Sequence, residues 1–188
     1  MMRALLVSLF GLSVGAVQAE GIDANISGES LNFAYQAESI NLMQGGADIE
    51  AGAFVNQRGD SGVFGKMLAV GQQASQNLPV QFGVGAKAMF ADVKDGENIS
   101  GIGVGGRVGY VVPSRINPIG FIVEGYVAPG VTSFGNVDQI RDVSARVEVE
   151  MSGNTTVGYV GFRHLASDYN GVTTELDDNV HVGLKMRF

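Results

Sequence analysis

The 188-residue chain has no cysteine, no tryptophan and only four prolines. Without cysteine there is no disulfide scaffold, no thiolate metal site and no cysteine nucleophile. Basic residues are scarce too: 12 Lys and Arg stand against 19 Asp and Glu, a net charge of -7. That balance supplies no electrostatic footprint for nucleic acid, so no nucleic-acid partner is expected. After Glu20 no apolar run approaches the ~18 residues of a helical membrane span, and no sustained 3.6-residue period is present. What the chain does have is glycine, 28 residues or about twice the usual share of roughly 7%. It is also 45% apolar, too hydrophobic for a disordered polyelectrolyte.

The first residues read as an address. Met1-Met2-Arg3 is a short positive start, and Ala4 to Val17 is apolar apart from Ser8 and Ser13. Val17-Gln18-Ala19 then places small residues three and one positions before Glu20. A basic start, a short apolar run and a small-x-small site define a secretory signal peptide. The run falls short of the about 20 residues a membrane helix needs. Cleavage between Ala19 and Glu20 is expected, with 1–19 the leader and 20–188 a single domain.

That domain alternates with a period of two, the signature of strands with two unlike faces. Between Asp142 and Met151, Val143, Ala145, Val147, Val149 and Met151 fall on one side, and Asp142, Ser144, Arg146, Glu148 and Glu150 on the other. Val180, Val182, Leu184, Met186 and Phe188 alternate with His181, Gly183, Lys185 and Arg187. The runs 80–90 and 101–112 behave alike, with glycines, Lys87 and Arg107 on their less apolar faces. Weaker strands are read at 22–26, 31–37, 47–55, 63–71, 119–128 and 155–166, separated by turn signals such as Asp95-Gly96 and Asn170-Gly171. Ten strands are expected, or eight if a weak one does not span.

Alternation alone fits a soluble sandwich or a membrane barrel. Strands of ten or more residues favour the barrel, since a tilted membrane strand needs about 9–11 and a typical soluble one about 5–6. Phe82 and Phe90 share a face eight positions apart. That is roughly 27 Å along a strand and roughly 20 Å across a membrane once tilted, close to the spacing of aromatic girdles. Phe188, with Met186, Leu184 and Val182 at every second position before it, resembles the C-terminal signature by which outer-membrane barrels are taken up by the assembly machinery. In hydrocarbon every backbone polar group must be paired within the protein, which only helices and closed barrels achieve. The fold class expected is therefore all-β: a closed, antiparallel, up-and-down transmembrane β-barrel. Lys66, Lys87, Arg107, Glu124, Arg146, Glu148, Glu150 and Lys185 are expected to project into its lumen, where opposite charges must pair. Glycines on the inward faces would leave room for them and permit the bends that curved sheets need.

An even strand number puts both ends of the domain on the periplasmic side. The segments 74–79, 113–118 and 152–154 then read as periplasmic turns. Those at 56–62, 93–98, 129–137 and 167–178 read as longer external loops.

In the second half several runs become recognisable: Tyr126-Val127-Ala128-Pro129 leading into Ser133-Phe134-Gly135, then Ala145-Arg146-Val147-Glu148, then Gly158-Tyr159-Val160-Gly161-Phe162-Arg163, and the ending from His181 to Phe188. These resemble the YfaZ family of small Gram-negative outer-membrane proteins, best from Val80 to Phe188. The resemblance implies an outer-membrane, porin-like or structural barrel and carries no catalytic residues.

Other motifs yield less. Gly101-Ile102-Gly103-Val104-Gly105-Gly106 matches a dinucleotide fingerprint, which works only between a strand and a helix; here a strand continues. His164 and His181, with Asp178 and Ser167 near them in sequence, raise the alternative of an outer-membrane enzyme acting on lipid A or peptides, but no nucleophile motif accompanies them. Asp168, Glu175, Asp177 and Asp178 are carboxylates in a spacing that matches no defined cation loop, and they read as solvated charge. A third alternative is a surface interaction protein using the external loops, with Phe134 and Tyr169 as its aromatic candidates. No enzyme activity, cofactor or metal is expected. The expected partners are outer-membrane lipid, lipopolysaccharide and the barrel-assembly machinery, and the expected state is a monomer with a narrow, charged, largely plugged lumen.

Overall fold

The computed structural model describes residues 20–42, 45–71, 80–94, 96, 98–112, 114, 117–135, 137–152 and 155–188. Period-two patterning becomes strand throughout: β1 (Glu20–Ser27), β2 (Ser30–Leu42), β3 (Gly45–Asn56), β4 (Ser61–Gly71), β5 (Val80–Asp92), β6 (Ile99–Val112), β7 (Ile119–Pro129), a two-residue β8 (Ser133–Phe134), β9 (Gln139–Ser152), β10 (Thr156–Tyr169) and β11 (Val172–Arg187). A short 3-10 turn, Gly130–Thr132, precedes β8. Each long strand pairs antiparallel with its neighbours in sequence, and β1 pairs with β11 to close the ring. β8 lies outside this succession and pairs only with the first residues of β6, Ser100 and Gly101. The result is a closed ten-stranded meander, so the eight-strand alternative is set aside.

The two ends of the barrel differ. β1 begins and β11 ends at one rim, the terminus end, where β2, β4, β6 and β9 also end. The connections 28–29, 57–60, 93–98, 130–138 and 170–171 lie at the opposite, loop end. One expectation needs correction here. The segment 167–178 is not a loop: β10 runs to Tyr169 and β11 restarts at Val172 around an Asn170-Gly171 turn. Both turn residues have positive φ, 48° and 78°, as a two-residue hairpin turn that follows sheet twist requires. Alternation fades over this hairpin because Val172, Thr173, Thr174 and Glu175 are all exposed, and because a bulge between Leu165 and Ala166 breaks the register.

The wall is inside-out by the standards of a soluble protein. Among the described residues, 32 large hydrophobic side chains are exposed, including Val84 at 71% and Val104 at 66%, while Lys66, Lys87, Asp142, Arg163 and Lys185 are buried. Phe82 on β5, Tyr110 on β6 and Phe121 on β7 face outward towards the terminus end, with Tyr110 opposite Phe121 across the ladder. Phe90 faces outward nearer the loop end, and Phe162 faces outward midway along β10.

Inside, large side chains are seated over glycines on the adjacent strand. Phe64 lies over Gly52, Phe54 over Gly62 and Tyr159 over Gly183, each pair directly opposite in register. Leu68 covers Gly83, while Gly85 is closely approached by the backbone of Met67 and Leu68. A ring can lie flat on a neighbouring strand only where that strand lacks a Cβ, the aromatic–glycine device of strongly curved sheets. The glycines thus accommodate Phe, Tyr and Leu rather than simply leaving space for lysine and arginine. The largest buried apolar cluster fills the loop end: Ala34 from β2, Phe54 from β3, Phe64 from β4, Met89 and Ala91 from β5, Ile99 from β6, Ala128 from β7, Ile140 from β9, Leu165 from β10 and Leu176 from β11, with Val137 from the loop. Every strand of the wall except β1 contributes.

Candidate functional site

The alternation that greases the outer wall sends its other parity into the bore, where low dielectric makes an unpaired charge costly. Most of the inward charges accordingly lie in three paired groups. In the first, Lys66 Nζ lies 2.8 Å from Glu124 Oε1 and 2.9 Å from Glu50 Oε2. The second oxygen of Glu124 accepts from Arg107 Nε at 2.7 Å, and Arg107 Nη1 reaches Asp48 at 3.0 Å. Gln36 donates to Glu50 at 3.0 Å. The second group centres on Asp142. Lys87 Nζ contacts its Oδ2 at 2.5 Å, and Arg163 donates from Nε and Nη2 to its two oxygens, both at 3.2 Å. Both cations also lie over aromatic faces, Lys87 4.2 Å from the Phe64 ring centre and Arg163 6.0 Å from that of Phe54, which adds a cation–π attraction.

The third group lies across the bore. Tyr159 donates to Asp23, and Asn25 donates to the Tyr159 hydroxyl at 3.1 Å. Arg146 Nε and Glu148 Oε1 stand 2.7 Å apart as an ion pair whose angles do not make a hydrogen bond. Arg146 Nη1 is 3.9 Å from Asp23, and Lys185 Nζ is 4.0 Å from Glu148. His181 packs edge-on to Tyr159, ring centres 5.8 Å apart.

Between these groups a cavity of about 60 Å³ remains, lined among others by Asn32, Lys66, Tyr126, Ser144, Arg146 and His181. The Tyr126 hydroxyl is buried there without a partner in the protein. A cavity of that size admits a few water molecules and nothing larger.

Of the inward charges read from the sequence, Lys66, Lys87, Arg107, Glu124, Arg146, Glu148 and Lys185 all enter these groups, and Glu150 is half-buried on the same face of β9. Asp23, Asp48, Glu50, Asp142 and Arg163 complete the pairing. Strand parity carries their signal, since Asp142 shares its face with Ser144 and Arg146, and Arg163 its face with Tyr159. Val182, Leu184 and Met186 face outward, and Phe188 is exposed. Ala19 and the rest of 1–19 lie outside the described residues; Glu20 opens β1.

The residues that suggested other chemistry are dispersed. His181 lines the cavity, whereas His164 sits on the outer wall with Nδ1 2.8 Å from Asp178 Oδ1. The two rings are thus on opposite faces and no single site holds both. Ser167 is buried. Asp177 points inward and accepts from Ser30 at 3.2 Å, while Asp168 binds Arg141 at 2.7 Å and Thr173 at 2.7 Å. The four carboxylates therefore do not converge, and among the described residues no group of three or more His, Asp or Glu is arranged to hold a metal. Gly101 to Gly106 is continuous strand in β6 with no helix after it.

Fold and interior together define a class: small, closed, ten-stranded barrels with an apolar exterior and an ion-paired interior. More particularly, the chain belongs to the YfaZ family, whose model, described as YfaZ precursor, matches residues 1–188. No curated protein and no solved structure matched the chain.

Proposed function

We propose that the protein is a monomeric barrel of the bacterial outer membrane, exported by the leader at 1–19 and inserted with its loop end outward. The observation that carries this reading is the broad apolar exterior on a wall with no open edge. Exposed to water, contiguous patches of such size are untenable for a monomer. Surrounded by acyl chains, they are matched, and ring closure satisfies the backbone. Outer-membrane lipid and lipopolysaccharide are then its immediate surroundings, and the assembly machinery its partner during insertion.

Its role on this reading is structural, with at most a trickle of small solutes. Ten strands enclose a bore about wide enough for side chains, whereas open aqueous pores belong to barrels of about 16–18 strands. The His164–Asp178 contact gives an oriented imidazole without a nucleophile beside it, so the enzyme reading is not preferred. The test is twofold. Membrane-extracted protein should fractionate with the outer membrane and run at a different gel mobility before and after boiling. In planar bilayers it should give no steady large channels. Soluble periplasmic protein with no heat-modifiable mobility would end the membrane reading, and steady large conductance would end the occluded one.

A further inference from the structure

The bore holds two kinds of filling at two depths, and they differ as barriers. Around the cavity, acids and bases meet in pairs next to space for water. Above it, towards the loop end, Phe54, Phe64, Met89, Ile140, Leu165 and Leu176 pack into one apolar cluster; Leu165, Leu176 and Ile140 are at most 2% exposed. Because nearly every strand of the wall contributes a member, the cluster spans the whole cross-section rather than lining one side.

We infer that this apolar layer, and not the ion-pair network, is the seal of the barrel. The inference rests on the membrane-spanning reading above. Charged side chains on flexible stems exchange partners and carry water with them, so a paired network slows ions without excluding them. A dry constriction of aromatic and aliphatic side chains blocks them outright, since an ion would have to shed its hydration with nothing offered in exchange. The loop-end cluster has that character, with Asp60 and Asp177 buried near it and held by Asn56, the Lys94 amide and Ser30; the network beneath it has the other. The lumen is therefore a polar chamber capped on its loop side by a hydrophobic lid built from the wall itself. Among the described residues the strands of the wall supply ten members of the cluster, and the connections add Val137, with Val93 packed against it.

The test is ion conductance of the refolded full-length chain in planar bilayers, with heat-modifiable mobility scoring folding of each variant. The parent should be silent. An Ile140→Ser, Leu165→Ser variant should conduct at least tenfold above the parent, and Ile140→Thr with Leu176→Thr, closer in volume, serves where the first does not fold. Lys66→Gln with Glu124→Gln, which removes an ion pair of the network, should stay silent. Folded cap variants that remain silent, or a network variant that opens while the cap is intact, would overturn the inference and leave the barrel reading standing. Steady conductance by the parent would overturn both the seal and the occluded lumen, and absence of a heat-modifiable form would overturn the barrel itself.

Discussion

At the scale of single residues, the interior is held by charges whose value depends on having partners. Asp142 is the clearest case: 7% exposed, it is the shared acceptor of Lys87 and Arg163. Asp142→Ala leaves two buried cations without their counter-charge, a defect that costs about 3–5 kcal/mol. Arg141 pairs with Asp168 at a similar distance, yet its side chain is 42% exposed, and surface pairs contribute about 0–1 kcal/mol. Guanidinium unfolding in detergent micelles should therefore show a large loss for Asp142→Ala and almost none for Arg141→Ala. This contrast is only half legible in the sequence. Strand parity puts Asp142 on the polar face with Arg146, but Lys87 is 55 positions away. The identity of a partner across the bore is fixed by strand order and ring closure, which no local pattern encodes. The apolar cap was hidden for a related reason. Phe54, Phe64 and Ile140 occupy inward positions of strands whose outward positions are apolar too, so alternation weakens there instead of marking them.

At the scale of elements, the hairpin of β10 and β11 is where pattern and structure part. Its Asn170-Gly171 turn is legible from residue type, because both positions need positive φ. Its arms are not, because beyond the rim no face is buried and period two loses its cause. What holds the projecting part is polar. Arg58 donates to the carbonyls of Glu175 and Leu176 at 2.6 and 3.0 Å, and Asn56 also donates to Leu176. These contacts cover a strand edge that β1, ending at Ser27, leaves without a neighbour. Near the tip, the Thr173 hydroxyl and then Arg141 hold the Asp168 carboxyl below its ordinary value. Both favour the charged form, so the folded hairpin is supported wherever the unfolded carboxyl, near pH 3.9, would already be ionised. That support is lost as pH falls through the lower folded value. Amide exchange at residues 168–173, corrected for its intrinsic pH dependence, should stay constant from about pH 7 to 5 and accelerate only below about pH 4. Acceleration near neutrality would place the tip's stability in some other group.

At the scale of the whole molecule, everything depends on the seam between the first and last strands. Closure was legible as a necessity, because an apolar exterior of this extent tolerates no open edge in lipid. Which residues meet was not, since register across the seam is set by the accumulated stagger of all ten strands. The seam runs from Gly21 opposite Arg187 to Ser27 opposite His181 and is shorter than the β10–β11 ladder, because β1 has only eight residues. A chain without cysteine makes it directly testable. Ala24 and Leu184 are paired across the seam on the outer face, away from the ion pairs. Opposed Cα atoms in an antiparallel ladder lie about 4.5–5.5 Å apart, within the range a disulfide spans. The Ala24→Cys, Leu184→Cys variant should oxidise to a single intramolecular species and gain about 2–4 kcal/mol against unfolding, since the bond closes nearly the whole described chain into one loop. Moving one partner, as in Ala24→Cys with Val180→Cys, shifts the pair four residues out of register and should give no bond. Equal oxidation of both variants would mean that the seam slides, and no oxidation of the first would mean that the two strands do not meet, so the barrel would have to be drawn open.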